Sequence, residues 1–319
     1  MLATNPSVLI VILNWNGKED TIECLESLNR LDYSGCSVVV VDNGSVDESV
    51  DSLRERFPDI VVVENGRNLG YCGGNNVGIR HALRIASDYV LILNNDTVAD
   101  TDMLKELVKA AEMNNSIGIA GPTVRDYFQD NIIQATGSRI CWKKGSFVKV
   151  KPGTSENNKN GPFEDADIVS GSCILAKTEA IRKVGLLDED YFAHWEEIDW
   201  CIRFKKAGYR VVWVQSAKVR HKGGASSSKI GGFREYQNSR NRLWFMRKQA
   251  GTADLVIFFC YFLMFDFWFH ALANLRYSGR RGFEAFLRGT IDGIGAISDN
   301  GYRIASEIST TTTRHQRRN

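Results

Sequence analysis

The stretch that decides the reading is Leu91-Ile92-Leu93-Asn94-Asn95-Asp96-Thr97, an apolar run that ends abruptly in amides and a single carboxylate. It reads as a buried strand with a polar tip. In an open α/β sheet the carboxyl ends of parallel strands form the crevice where ligands bind, so a carboxylate delivered there suits a divalent metal. The same four polar residues also suit the cap of a following helix. Working outward, β-branched and apolar runs recur at Val8 to Leu13, Val38 to Val41, Ile60 to Val63, Tyr89 to Leu93 and Ile117 to Ala120, separated by segments of helical spacing. This predicts a βαβ series: an α/β fold with a mainly parallel sheet and right-handed crossovers. Ser45-Val46-Asp47-Glu48 matches a capping box, and Pro58 closes the helix that follows.

Residues 121 to 167 lose the alternation and turn polar, with Lys143, Lys144, Asn157, Asn158, Lys159 and Asn160, which predicts an insertion of loops and a hairpin. Asp167 to Ala176 then reads as a strand bent around Gly171. With 319 residues, of which 43% are hydrophobic and 24% charged, the chain can bury a substantial core. The formal net charge is only +2, but its distribution is uneven. Between Arg220 and Lys248 the single acid is Glu235, and from Arg276 onward arginines outnumber acids. Such blocks suit an anionic membrane surface or phosphate groups, or simply a solvated face. Seven cysteines without a C-x-x-C pair read as reduced, mostly buried thiols of the cytosol rather than a disulfide framework or a zinc site. The short apolar run Val8 to Leu13, with no basic segment before it, does not read as a cleaved secretory signal.

A dinucleotide-binding site is disfavoured. After Leu13 comes Asn14-Trp15-Asn16-Gly17, one glycine where G-x-G-x-x-G needs three. The second strand ends in Asp42-Asn43-Gly44-Ser45, where Asp42 can accept hydrogen bonds from a base or ribose. The third leads into Asn68-Leu69-Gly70-Tyr71-Cys72-Gly73-Gly74-Asn75-Asn76-Val77-Gly78, read as a glycine-rich turn that a ligand can approach closely. Either segment is equally turn chemistry. A second cluster, His194-Trp195-Glu196-Glu197-Ile198-Asp199, sets three acids at a helix start beside an aromatic residue, with Arg203 one turn on to offset the charge. A partly buried carboxylate there suits a general base. His221 follows the strand Val211 to Val214 and leads into a glycine-bearing loop, one way to bring an imidazole to a metal already held by a carboxylate.

Taken in order, Asn14-Trp15-Asn16, Asp42-Asn43-Gly44-Ser45, Asn68-x-Gly70-x-x-Gly73-Gly74-Asn75, Asn94-Asn95-Asp96, Trp195-Glu196-Glu197-x-Asp199 and Arg240-Asn241-Arg242 resemble the family 2 inverting glycosyltransferases of the GT-A fold, most closely the rhamnosyltransferase-type branch. The resemblance spans roughly residues 7 to 248. It implies a GT-A domain over 1–250, with a nucleotide-sugar-binding half (1–120) and an acceptor and catalytic half (121–250). Residues 251–319 then form an apolar helix and a basic tail. It implies that Asn14, Asp42, Asn68, Gly74, Asn75, Asn94, Asn95 and Asp96 frame the donor. Asp96 and His221 would hold Mn or Mg, Glu197 with Glu196 and Asp199 would form the catalytic acids, and Trp195 with His194 would carry the acceptor sugar. The donor implied is a dTDP- or UDP-sugar, the acceptor a glycan or lipid-linked hydroxyl, and nucleic acid is not an expected partner. The oligomeric state stays open. The departure is Asn94, where the family often has aspartate.

Leu255 to Phe265 is apolar on every face until Asp266, and the fifteen residues to Phe269 fall short of the roughly 20 that span a bilayer core. Asp266, His270 and Asn274 recur at helical spacing, read as a polar stripe opposite Phe267, Ala271 and Leu272. This favours an interfacial helix at the cytoplasmic face of the cell membrane, followed by a polar, basic tail expected to be disordered from Thr310 to Asn319. The competing reading is a helix that covers the catalytic domain or forms a dimer contact. Among other functions, a phosphatase of D-x-D-x-T type would need an aspartate nucleophile at Asn94. A non-catalytic nucleotide-sugar-binding scaffold is the remaining alternative, and retention of Glu196, Glu197, Asp199 and His221 argues against it.

Overall fold

The computed structural model describes residues 5–152, 161–223 and 231–295, so Asn157 to Asn160 and the tail from Thr310 lie outside the described residues. The chain forms two compact units, residues 1–139, 149–187 and 200–223 in one and residues 140–148, 188–199 and 224–319 in the other.

The first unit is a twisted, mixed sheet with helices. Its five expected strands are present as β1 (Val8–Asn14), β2 (Cys36–Asp42), β3 (Val61–Glu64), β4 (Tyr89–Asn94) and β6 (Ile117–Asp126), with β5 (Thr97–Ala99) directly after the β4 tip. The helices between them are α1 (Lys18–Leu28), α2 (Ser49–Arg56), α3 (Gly70–Arg84) and α4 (Met103–Glu112). Later come β7 (Ile133–Ala135), the hairpin β8 (Ser138–Cys141) and β9 (Ser146–Lys149), β10 (Phe163–Ala166), β11 (Cys173–Lys177), α5 (Thr178–Val184), α6 (Glu196–Lys206) and β12 (Arg210–His221). The sheet runs β10-β12-β6-β11-β4-β1-β2-β3, with β5 on β12 and β7 on β6. β4, β1, β2 and β3 are parallel, whereas β11 enters antiparallel between β4 and β6. β1 and β4 are buried on both faces, which is why each is a continuous apolar run rather than an alternation. Ile10, Ile12, Leu91, Leu93 and Val40 form one core with Cys24 and Leu25 of α1 and Leu104 and Leu107 of α4.

Four local expectations change. Residues 68–78 are not a glycine-rich turn, because α3 begins at Gly70. Its glycines serve helix–sheet contact: a Cβ on Gly74 would collide with Leu13 Cδ1, and one on Gly78 with Val11. The capping box at Ser45 to Glu48 does not form; Glu48 is left-handed, and Asp47 Oδ1 accepts from the Ser49 amide at 3.2 Å. Only Cys173–Lys177 of the expected strand 167–176 is extended in the sheet. Finally β12 continues past Val214 to His221, so this histidine ends a strand instead of following one by a loop.

The second unit contains the hairpin tip, the 3₁₀ turn Glu189–Tyr191, the first turn of α6, and helices α7 (Phe233–Gln249), α8 (Thr252–Tyr261), α9 (Phe267–Tyr277) and α10 (Gly279–Ile294). α10 lies close along α7 because its small residues permit it: a Cβ on Gly293 would meet the Arg240 carbonyl at 2.8 Å. α8 and α9 run on through one wide π turn, Phe262–Asp266, as a 26-residue helix that contains an 18-residue stretch of mean hydropathy 1.9. At 1.5 Å per residue it is about 39 Å long, long and apolar enough to cross a membrane, which overturns the count that stopped at fifteen residues. The polar stripe also faces the other way. Asp266, with 11% of its side chain exposed, pairs with Arg242 at 2.7 Å on the same inward side as Ala271 and the half-buried Phe267, while Leu263, Met264, Phe265, Trp268, Phe269 and Leu272 are all at least 59% exposed.

Candidate active site

In the first unit, parallel register sets polar residues side by side at the strand ends. Asn14 pairs with Asp42, and Leu13 with Asn94. Asn14 is fully buried; its amide donates to Asp42 Oδ1 (2.9 Å) and Ser45 Oγ (3.1 Å), and its Oδ1 accepts from Thr21 (2.9 Å). Asp42 Oδ2 accepts from the Gly44 and Ser45 amides at 3.0 and 2.9 Å, which winds the chain into a turn where Gly44 sits at φ +77°. Three of the roughly four lone-pair positions of Asp42 are thereby used, leaving one on Oδ1.

Asn68 Oδ1 accepts from the Gly70 amide (2.8 Å) and from Asn43 (3.1 Å), so it organises the start of α3. Asn75 donates to the Tyr71 carbonyl at 2.9 Å and leaves its Oδ1 buried without a hydrogen-bond partner. Asn94 accepts from the Tyr71 hydroxyl (3.1 Å), which also reaches the Gly171 carbonyl (2.7 Å), and Asn95 donates to Thr21 Oγ1 (3.0 Å). Sequence reading passed over Asn43, which ties the β2 end to Asn65, Asn68, Leu69 and Gly70. Its only signal was a position within Asp42-Asn43-Gly44-Ser45.

Asp96 and His221 meet. β5 pairs antiparallel with β12, His221 opposite Thr97, and the Lys222 amide donates to the Asp96 carbonyl at 3.0 Å. This register brings His221 Nε2 to 3.1 Å from Asp96 Oδ1. Nε2 is nevertheless buried without a hydrogen bond. Among the described residues no three His, Cys, Asp or Glu converge as a metal cage.

In the second unit the acids stand on a strained loop. Phe192, His194 and Trp195 all have left-handed backbones, with φ of 62°, 68° and 76°. Non-glycine residues occupy this region at a cost and persist only when their surroundings hold them there. Here Asn241 of α7 holds them: its fully buried amide nitrogen lies 2.8–2.9 Å from the carbonyls of Tyr191, Ala193 and His194. Arg240 beside it donates to the Asp190 carbonyl at 2.9 Å. Neither residue had been given a role from sequence.

Trp195 lies among Phe147 and Phe245, ring centroids 5.1 and 5.5 Å away, with its indole N–H on Asn238 at 3.3 Å. Glu196 and Glu197 open α6, and each has a buried Oε2 without a hydrogen-bond partner. Burial raises the proton affinity of both; repulsion from Glu197 adds to it at Glu196, while main-chain N–H groups oppose it at Glu197. Glu197 keeps part of its surface open, whereas Glu196 is buried. Burial, with Arg234 adding to it, pulls His194 down to about 4. Asp199 is differently placed: wholly buried, it accepts from Gln249 (2.6 Å), Lys248 (3.0 Å) and Tyr191 (3.3 Å). Arg203 lies in the other unit and donates to the Val184 and Leu186 carbonyls at 3.0 and 2.7 Å.

The sheet with its polar strand ends has relatives. A dTDP-rhamnosyl transferase RfbF of Shigella flexneri is 27% identical over 255 residues, covering 76% of this chain and 81% of that one. An N-acetylglucosaminyl-diphospho-decaprenol L-rhamnosyltransferase of Mycobacterium tuberculosis is 28% identical over 214 residues, covering 62% and 70%. Among solved structures, the mannosyltransferase PcManGT of Pyrobaculum calidifontis, in complex with GDP-Man and Mn2+, superposes with a TM-score of 0.57 at 16% identity, over 98% of this chain and 81% of that one. The fold is GT-A, as the sequence pattern implied. The family profile described as Glycosyl transferase family 2 matches residues 7–185, more than half of the chain. The chain therefore belongs to glycosyl transferase family 2.

Proposed function

We propose that this glycosyltransferase inverts the anomeric centre, moving a sugar from a dTDP- or UDP-linked donor to a hydroxyl of a glycan or lipid-linked acceptor, with Glu197 as general base. The observation that carries this is the Glu196–Glu197 pair, two carboxylates with buried, unpartnered oxygens on a loop held in a strained conformation. Unspent hydrogen-bonding capacity of that kind, kept at the cost of strain, marks a site that awaits a proton or a substrate. Glu197 is the better base because the residue keeps part of its surface exposed, whereas Glu196 is buried. Its raised proton affinity brings it nearer the pKa at which proton transfer is efficient. Inversion requires one displacement, so no covalent enzyme intermediate forms. Asp199, fully committed to neighbouring side chains, positions the loop; Trp195 is buried between Phe147 and Phe245 and supports the loop from behind, which leaves the partly exposed His194 as the acceptor-side residue. Residues 1–250 then form the transferase domain and 251–319 its membrane-directed extension.

The donor side fits a divalent cation. Two ligands about 2.1 Å from one ion and at right angles to it lie about 3 Å apart, which is the spacing of His221 Nε2 and Asp96 Oδ1 without a hydrogen bond between them. Two protein donors suit an ion that takes its remaining ligands from a diphosphate and water. Mn or Mg held there would neutralise the charge of the departing nucleoside diphosphate. The turn at Asp42 to Ser45 and the start of α3 at Asn68 frame the base and ribose side, supported by their position at the carboxyl ends of parallel strands. The outward apolar face of α8 and α9, with Arg276, Arg280 and Arg281 exposed at its end, supports attachment to the anionic cytoplasmic leaflet.

The test is a panel of nucleotide sugars, each with and without Mn2+ or Mg2+, read by thermal shift and by transfer to a lipid-linked glycan. One donor should stabilise the protein only with metal, and Asp96→Ala should lose that response. No stabilisation by any donor would sink the transferase mechanism in favour of a scaffold.

A further inference from the structure

We propose that Gln134 fixes His221 in the Nδ1–H tautomer and thereby turns a bare Nε2 lone pair toward Asp96, a positioning role that rests on reading these two residues as metal ligands. Gln134 lies on β7, apart from every motif the sequence singled out. Its amide nitrogen is 2.8 Å from Asp126 Oδ2 and 2.9 Å from the main-chain carbonyl of His221. Asp126 Oδ1 in turn accepts the amides of Phe128 (2.9 Å) and Gln129 (2.8 Å). The Gln134 nitrogen thus faces a carboxylate and a carbonyl, both acceptors, and the amide cannot be flipped without setting oxygen against oxygen.

The consequence falls on the imidazole. With the nitrogen placed, Oε1 must be the atom that faces His221 Nδ1, at 3.1 Å. A carbonyl oxygen there requires an N–H opposite, so Nδ1 carries the proton of the neutral ring and Nε2 is bare. Nε2 is buried, 3.1 Å from Asp96 Oδ1, and has no hydrogen bond. A lone pair set against a carboxylate is repulsive, and a cation that both atoms can share removes the repulsion. The pairing of β7 with β6 and of β6 with β12 holds the three side chains in register, so the arrangement is built into the sheet and does not wait for a ligand. Outer partners of this kind set the tautomer of a metal-bound histidine, and their loss typically costs 10- to 100-fold in metal affinity.

Two measurements on the full chain test this. Long-range proton–nitrogen correlation spectra of the metal-free protein, with His221 identified through His221→Gln, report which ring nitrogen is protonated. Titration with Mn2+ alone, followed by electron paramagnetic resonance, reports affinity without turnover. Wild type should show Nδ1–H. Gln134→Met, of similar size but without the amide, should mix the tautomers and bind Mn2+ 10- to 100-fold more weakly. The ring-nitrogen spectrum is the readout that a merely structural role for Gln134 would leave unchanged. An Nε2–H tautomer in wild type, or unchanged Mn2+ affinity in Gln134→Met, overturns the proposal. A wild-type protein with Nδ1–H that binds no Mn2+ overturns instead the metal reading of Asp96 and His221 and leaves the tautomer assignment standing.

Discussion

Removing the amide of Asn241 tests whether the acid loop is held by one residue. The loop keeps three non-glycine residues, Phe192, His194 and Trp195, at positive φ, at about 1–2 kcal/mol each and so roughly 3–6 kcal/mol together. Against this stand the contacts of the Asn241 nitrogen with three carbonyls at 2.8–2.9 Å. An amide nitrogen has two hydrogens, so the gain is that of about two hydrogen bonds, each worth about 1 kcal/mol net, plus the penalty of about 1–3 kcal/mol for a buried carbonyl left unsatisfied. Asn241→Ala should therefore destabilise by about 3–5 kcal/mol, measured by urea unfolding followed through tryptophan fluorescence. The loop should relax toward ordinary backbone conformations and carry Glu196 and Glu197 with it. A displacement of about 1 Å at a reacting group costs about 10²-fold, so kcat should fall by that order under conditions where the variant is fully folded. Asn241→Asp is the sharper variant: it keeps the size and the acceptor for Arg240 at 2.7 Å but removes the donor to the same three carbonyls, so it should still be less stable than wild type. An alanine variant within about 0.5 kcal/mol of wild type, with kcat within twofold, would refute this account and assign the loop's conformation to packing around Trp195 and Phe245.

Glu197→Gln should retain donor binding while kcat falls by roughly 10²- to 10⁴-fold, as measured by transfer kinetics beside donor calorimetry; unchanged turnover would remove Glu197 from the base role. Because the base must be ionised and burial raises its pKa, wild-type kcat/KM should climb with pH through a midpoint above the ordinary glutamate value of about 4.3. Glu196→Gln should raise Tm at pH 7 and leave it unchanged near pH 4. With its folded pKa raised, Glu196 remains protonated in the native state while the unfolded chain ionises, so its contribution is complete below the unfolded value and declines as pH rises; an equal Tm gain at both pH values would contradict this. Phe265→Glu with Phe269→Glu, both on the outward face of the C-terminal helix, should abolish flotation with anionic liposomes without lowering Tm, and retained flotation would place the membrane contact elsewhere.

Much of this protein is legible along the chain, because periodicity and polarity are local properties. β1 and β4 had to be buried strands, since an unbroken apolar run of that length is stable only with both faces covered, and Asn14 and Asn94 had to emerge at their ends, as Asp42 does at the end of β2. The acids at the start of α6 were equally visible as charge placed on a helix terminus. The glycines of 70–78 were misread because a turn and a tight helix–sheet contact ask for the same residue, and only the position of Leu13 and Val11 beneath α3 separates them. The outward turn of the C-terminal helix was hidden for a similar reason: Asp266 marks a polar stripe in any sequence, but Arg242 decides that the stripe points inward.

The sequence by itself determined the family, the strand series and the identity of the charged groups, since each is encoded within a few consecutive residues. Only the tertiary structure decided which of those groups meet. Asp96 and His221 are brought to 3.1 Å by the antiparallel register of β5 on β12, and Asn241 reaches back to the loop at 191–194. Strand register and helix packing are settled by the burial of the whole core, so contacts that close over such distances along the chain leave no local mark in it.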